Sequence, residues 1–272
     1  MRTVVALVAA SAVLAGAAVA SAAKPHPSGL QRPSARAWVA LDAASGRLLL
    51  AQRPAELRPI ASLTKMMTGL LVAEAGALGR RVTVPVEATL VEPTNEGLRP
   101  GGRYRRVTLL YSAMLVSSND SATALGYDLG GGSLERFYAL MNDRARRFGM
   151  RNTVYASASG LDDVHNVSTA YDQALLARAA LRNVTFRRVV STRRYFTPWA
   201  APTLAKEWVN HNKMLFTDTG TYGVKTGWTS RAGGCVAVAV RHGNRAVILV
   251  VLGSKRLWPD TELLVERAFA RQ

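Results

Sequence analysis

The chain of 272 residues is long enough for one domain with a sizeable core, and its 35 Lys and Arg against 18 Asp and Glu give a formal net charge of +17. One cysteine excludes an internal disulfide, and four histidines at 26, 165, 211 and 242 without paired spacing, together with the absence of H-E-x-x-H, exclude the common metal-hydrolase pattern. No G-x-x-x-x-G-K-[ST] phosphate loop occurs, and no metal or cofactor is expected.

Residues 1–22 read as a secretory signal peptide: Arg2, an apolar run from Val4 to Ala20, and a small-residue cleavage site at Ala20-Ser21-Ala22. The mature protein is therefore expected to be exported, to periplasm or extracellular wall, soluble or peripherally associated. In that compartment so basic a chain points to anionic envelope polymers as a candidate partner rather than to nucleic acid. Residues 23–35, with Pro25, Pro27 and Pro33, read as a linker, and 36–272 as a single domain.

Ala37–Asp42 and Arg47–Ala51 have strand composition around a turn at Ala43–Gly46. Arg58-Pro59-Ile60-Ala61-Ser62-Leu63-Thr64-Lys65 then enters a helix for which Ser62 is the expected N-terminal residue. Met66, Leu70, Leu71 and Ala75 continue that helix to about Gly76 with apolar positions on two faces, so it should be a buried central element. Residues 85–107, rich in Pro and Gly, read as an exposed loop, and Leu109–Leu115 as a second apolar helix ending at the polar cluster Ser117-Ser118-Asn119-Asp120. Helices are expected at Ser133–Phe148, at Thr169–Leu181 and at Asp260–Arg271, with 193–208 irregular. Gly234–Val240 and Ala246–Val251, joined by Gly243-Asn244, form a strong hairpin signal. Strands at both ends with helices between predict an α+β fold, an antiparallel sheet of N- and C-terminal strands packed with a helical region.

A serine is a weak nucleophile until a base takes its proton, and a desolvated lysine can be that base. Ser62 and Lys65 have the spacing that puts hydroxyl and amine on one helix face, although Ser-x-x-Lys alone is common. Lysine usage adds weight. The chain has 29 arginines and 6 lysines, yet lysine stands at both Lys65 and Lys225, and arginine cannot be deprotonated in a protein.

Ser62-x-x-Lys65, Ser117-x-Asn119 and Lys225-Thr226-Gly227 together resemble the trio of penicillin-binding proteins and class A β-lactamases. Arg58–Thr68, Leu161–Ala170, Asn210–Lys213 and Gly223–Cys235 further resemble the low-molecular-mass penicillin-binding proteins, the D-alanyl-D-alanine carboxypeptidase and endopeptidase family. The resemblance covers nearly all of residues 36–272. It implies the fold shared by DD-peptidases and serine β-lactamases, hydrolysis of peptidoglycan stem peptides or cross-links, and covalent inhibition by β-lactam antibiotics. It implies catalytic roles for Ser62 as nucleophile, Lys65 as general base and Ser117 as proton relay. Asn119, Lys225, Thr226, Gly227 and Trp228 would bind substrate, with the backbone N–H groups of Ser62 and Trp228 holding the oxyanion.

The Arg-Pro-Ile-Ala-Ser start, His165-Asn-Val-Ser-Thr-Ala170 and the Ala-Gly-x-Cys235 tail most resemble the endopeptidase subgroup, as does a chain expected to lack a C-terminal β domain and anchor. Ser118, where that subgroup is expected to carry an acidic residue, leans toward carboxypeptidases. Arg231 and Arg256 are candidates for a substrate carboxylate. The alternatives are a β-lactamase, disfavoured because no glutamate lies between Glu135 and Glu207 to activate a water, and a non-catalytic cell-wall-binding protein that uses only the basic surface.

Overall fold

In a computed structural model describing residues 32–161, 165–199 and 205–272, the chain opens with the expected hairpin, β1 (Ala37–Asp42) and β2 (Leu48–Gln52). The signal peptide expected at 1–22 and most of the linker expected at 23–35 lie outside the described residues. Ser34 and Ala35 are already part of the fold: Ser34 donates through N–H and hydroxyl to Asp260 Oδ2 at 2.9 and 2.6 Å, and Ala35 is buried. Strand β3 (Arg58–Pro59) leads into a 3₁₀ turn at Ala61–Thr64, and only then does helix α1 (Lys65–Ala75) begin. Ser62 is thus not a helix cap; its hydroxyl makes no capping bond and is left free for Lys65.

The stretch read as loop over 85–107 is framed by a two-stranded sheet, β4 (Arg81–Thr83) and β5 (Arg103–Arg105), and holds one turn of helix, α2 (Val86–Thr89). Strands of three residues dominated by arginine carry no hydrophobic alternation, which is why the pattern misses them. Helices α3 (Arg106–Leu115), α4 (Asn119–Leu129) and α5 (Leu134–Arg147) follow, the last two capped by the side chains of Ser118 and Ser133. Strand β6 (Val167–Ser168) pairs with β3. Helices α6 (Ala170–Ala180) and α7 (Val184–Ser191) are capped by Thr169 and Asn183. The segment expected to be irregular over 193–208 instead pairs as β7 (Arg194–Pro198) with β8 (Ala205–Val209), because stacked aromatic rings, Tyr111 on Tyr195 and Tyr195 on Trp208, hold it to α3. After α8 (Met214–Thr217) come β9 (Thr221–Thr229), β10 (Gly233–His242), β11 (Arg245–Ser254) and α9 (Leu257–Phe269).

The N- and C-terminal strands form one antiparallel sheet in the order β2-β1-β11-β10-β9, as the α+β reading requires. Period-two alternation divides its side chains between two cores. Val39, Ala237, Ile248 and Val250 face the helices, whereas Trp38, Val238, Leu249 and Val251 face α9. With both faces covered, β10 and β11 read as nearly continuous apolar runs. The helical layer is built around α1, whose Met66, Met67, Leu70 and Val72 are all buried and which packs against α3, α4, α6 and α7. Only its last turn, with Glu74 and Ala75, reaches solvent, so the polar residues of its first turn, Lys65 and Thr68, need internal partners.

Candidate active site

The site forms where the 3₁₀ turn before α1, the junction of α3 and α4, and the edge strand β9 meet. Ala61 and Ser117 adopt left-handed backbone angles, φ 48° and 65°, which non-glycine residues rarely accept. Each angle turns a serine, Ser62 or Ser117 itself, toward the same cleft. That cleft has a volume of 830 Å³ and is bordered by Ser62, Ser117, Asn119, Gly160 and Trp228.

Lys65 is fully buried beneath it. Its Nζ donates to Ser62 Oγ at 2.9 Å, to Asn119 Oδ1 at 2.7 Å and to the Ser159 carbonyl at 2.7 Å, which satisfies all three protons of the ammonium form. Desolvation pulls its pKa well below the ordinary lysine value, the charge of Lys225 pulls further, and Asp120 opposes them. Lys225, also buried, donates to Ser117 Oγ at 3.1 Å and to the Thr226 carbonyl at 2.9 Å. Burial lowers its pKa to about 7. The two lysines thus lie under the two cleft serines, and burial disfavours the ammonium form of each.

Gly227 lies against the turn that carries the serine. A Cβ there would stand 2.7 Å from Ser62 N and 3.1 Å from Ala61 Cβ, so only glycine lets β9 approach. Its neighbour Trp228 is 71% exposed at the cleft mouth. Because β9 is an edge strand, one row of its backbone groups has no partner strand among the described residues. Asn119 is fixed from two sides: its Nδ2 donates to the Glu92 carbonyl at 2.9 Å, and its N–H to the Thr94 carbonyl at 2.7 Å.

All eight residues singled out from sequence therefore converge on this region. Arg256 does not border the cleft; its guanidinium lies 3.7 Å from Asp260. Arg231 sits in the β9–β10 turn beside Ser230, which does border it. Ser118 is buried and caps α4 while donating to Asp120, so its side chain faces inward, away from the cleft.

Sequence reasoning missed the supports. Asp120 accepts from the N–H groups of Glu96 and Leu98 at 2.9 and 3.0 Å, pinning the loop above Asn119. Asn166 Nδ2 donates to Thr64 Oγ1 at 2.8 Å, and Thr68 Oγ1 to the Ala158 carbonyl at 2.7 Å. Gly160, at φ +85°, sits so close to Ala61 that a Cβ would overlap its carbonyl oxygen. His211 has its pKa lowered by desolvation and then by the charge of Lys225. Such links run between distant segments and leave no local pattern. Among the described residues no group of His, Cys, Asp and Glu could hold a metal ion.

A fold with a helical layer on an antiparallel sheet, and a serine resting on a desolvated lysine at the sheet edge, defines the class of serine acyl-transfer proteins. The model of the D-alanyl-D-alanine carboxypeptidase family matches residues 20–256, and the chain belongs to that family. Among curated relatives, D-alanyl-D-alanine carboxypeptidase DacB2 of Mycobacterium tuberculosis is 31% identical, over 87% of this chain and 82% of that protein. The D-alanyl-D-alanine endopeptidase of Escherichia coli is 30% identical, over 78% of this chain and 69% of that protein. Escherichia coli DacC, a carboxypeptidase, is 33% identical over 81% of this chain, but the chain spans only 57% of its length. Of solved structures, the Streptomyces K15 DD-transpeptidase superposes with a TM-score of 0.82 at 29% identity, over 88% of this chain and 98% of that one.

Proposed function

We propose that the protein is an exported serine DD-peptidase that cleaves D-Ala-D-Ala bonds of peptidoglycan through an acyl-enzyme on Ser62, and that it is acylated by penicillins. The observation that carries this reading is the fully buried Lys65 Nζ, 2.9 Å from Ser62 Oγ. A lysine there serves as a base only because burial and Lys225 disfavour its proton.

The Ser62 Oγ–carbonyl bond forms as the Ser62 proton passes to Lys65. The Lys225-bound Ser117 hydroxyl delivers a proton to the departing D-Ala amine as the C–N bond breaks. The substrate backbone lies along the open edge of β9 as an added strand, received by Asn119 on the opposite wall. The N–H groups of Ser62 and Trp228 stabilise the oxyanion, and Lys225 with Thr226 holds the carboxylate end. Water then releases the acyl group.

The names of the relatives divide among carboxypeptidase, endopeptidase and transpeptidase, so the position of the scissile bond needs its own experiment. Mature protein and Ser62→Ala are incubated with a pentapeptide muropeptide and a cross-linked dimer, and the products are weighed by mass spectrometry. Conversion of dimer to monomer by the wild type alone assigns an endopeptidase; loss of only the terminal D-Ala assigns a carboxypeptidase. No change in either substrate, with no penicillin adduct on Ser62, rejects the reading and leaves a wall-binding protein. Residues 136–206 contain no glutamate, and Glu92 at the cleft is exposed. The penicilloyl adduct should therefore be long-lived; rapid penicillin turnover would instead indicate a β-lactamase.

A further inference from the structure

A second concavity of 580 Å³ lies between the β4–β5 pair and the β7–β8 pair, at the N-terminal end of α3. Arg81 and Arg105 stand directly across the β4–β5 ladder and Arg103 follows two residues along the same face. All three are exposed, and none has a carboxylate partner among the described residues; Arg81 meets only the Arg103 carbonyl, at 3.1 Å. Like charges directly opposite each other destabilise a two-stranded sheet. By contrast Arg80 and Arg106, flanking these strands, are both paired with Asp128, one on each carboxylate oxygen. The facing wall is aromatic: Tyr195, stacked on Tyr111, with Phe196, 68% exposed at the border, and Trp199, whose ring lies 4.9 Å by centroid from Tyr104 on the inner face of β5.

We infer that this groove is a second binding site, for the anionic glycopeptide of peptidoglycan itself, and that it holds the polymer whose stem peptide enters the Ser62 cleft. The inference rests on the proposed DD-peptidase reading. Rings supply an apolar wall against which the C–H face of a sugar packs, and guanidinium forks bind carboxylates bidentately. Such a surface suits a ligand that is part saccharide and part acid. Its placement favours the same polymer over a separate phosphate-rich one: Val107 at the groove and Ser117 at the cleft are at opposite ends of α3, about 15 Å apart along the helix. The site would raise affinity for polymer while leaving the chemistry of a short substrate untouched.

The test compares full-length Ser62→Ala protein with the same protein carrying R81Q, R103Q and R105Q. Binding is measured to sacculi stripped of phosphate polymers and to unstripped wall. A control carrying R146Q, R147Q and R151Q removes equal charge from exposed positions elsewhere. Penicillin acylation is followed in the Ser62 versions of each. We expect the groove variant to lose affinity for stripped sacculi by at least about tenfold, the control to lose markedly less, and acylation rates to agree within about twofold. Equal losses in groove variant and control, or a loss confined to phosphate-bearing wall, overturn the inference. Absence of acylation in the wild type rejects the DD-peptidase reading instead. If the triple variant misfolds, as a lost acylation rate would report, R103Q alone with a KM-against-kcat comparison on polymer and short peptide decides: a raised KM on polymer only supports the site, and identical constants reject it.

Discussion

At the residue scale, the site depends on groups that have no conservative replacement. Lys65→Arg keeps the charge and much of the length but removes the ability to yield a proton at any accessible pH. We expect penicillin acylation of Lys65→Arg to fall by about 10² or more, read as adduct formation by intact mass; near-normal acylation would deny Lys65 the role of base. Gly160 is a structural counterpart. Its φ of +85° and the Ala61 carbonyl where a Cβ would go leave no room for alanine. Gly160→Ala must move the turn bearing Ser62, with an expected loss of about 1–3 kcal/mol in denaturant melts and a slowed acylation alongside it.

At the scale of elements, α1 is the post on which the site stands. A Cβ at Gly69 would meet Met114 Sδ at 2.8 Å and Phe186 at 3.3 Å, contacts that bring α3 and α7 close to it. Gly69→Ala should change stability little, because a methionine end can shift and alanine is the better helix former. Gly69→Val should cost about 1–3 kcal/mol by overpacking; equal melts for the two variants would show that this packing is loose. The Ser–Lys pairing of β9 with the α3–α4 junction carries a pH consequence. Lys225 is one of the charges that lower the pKa of Lys65. Lys225→Met should therefore move the acid limb of the acylation rate to higher pH, whatever it does to the amplitude. An unmoved limb would mean that the two lysines are not coupled.

At the scale of the whole molecule, burying two lysines links folding to pH. The unfolded chain holds the Lys225 proton up to its ordinary value of 10.5, while the folded protein releases it at about 7. Between those values the unfolded state binds more protons, so stability rises with pH across the window, and below about 7 the burial penalty is felt in full. Urea melts at pH 7 and pH 9, below the range where the buried Cys235 thiol opposes the trend, should show this rise, and Lys225→Met should reduce it while leaving the share of Lys65; a wild type equally stable at both would contradict the burial of a titrating Lys225.

The terminal strands were legible because each alternates or runs apolar over five or more residues. The trio was legible because its chemistry requires particular residue types. β4, β5, β7 and β8 were not: they are short and mix charged residues with single apolar or aromatic ones, and are held by cross-strand and ring contacts to distant segments. Ser62 likewise reads as a helix cap from its neighbours, and only the fit of Gly160 and Gly227 around Ala61 and Ser62 makes that segment a 3₁₀ turn.

By itself the sequence determined the α+β order of elements, the central helix and the identity of the chemical groups, since these follow from periodicity and from what each side chain can do. Only the tertiary structure decided that Lys65 and Lys225 are buried together, that Asp120 and Asn166 brace the loops above them, and that three arginines with no carboxylate partner among the described residues line a groove with aromatic rings. Desolvation and cross-segment hydrogen bonding depend on which surfaces are excluded from water, and that is fixed only when the chain is packed.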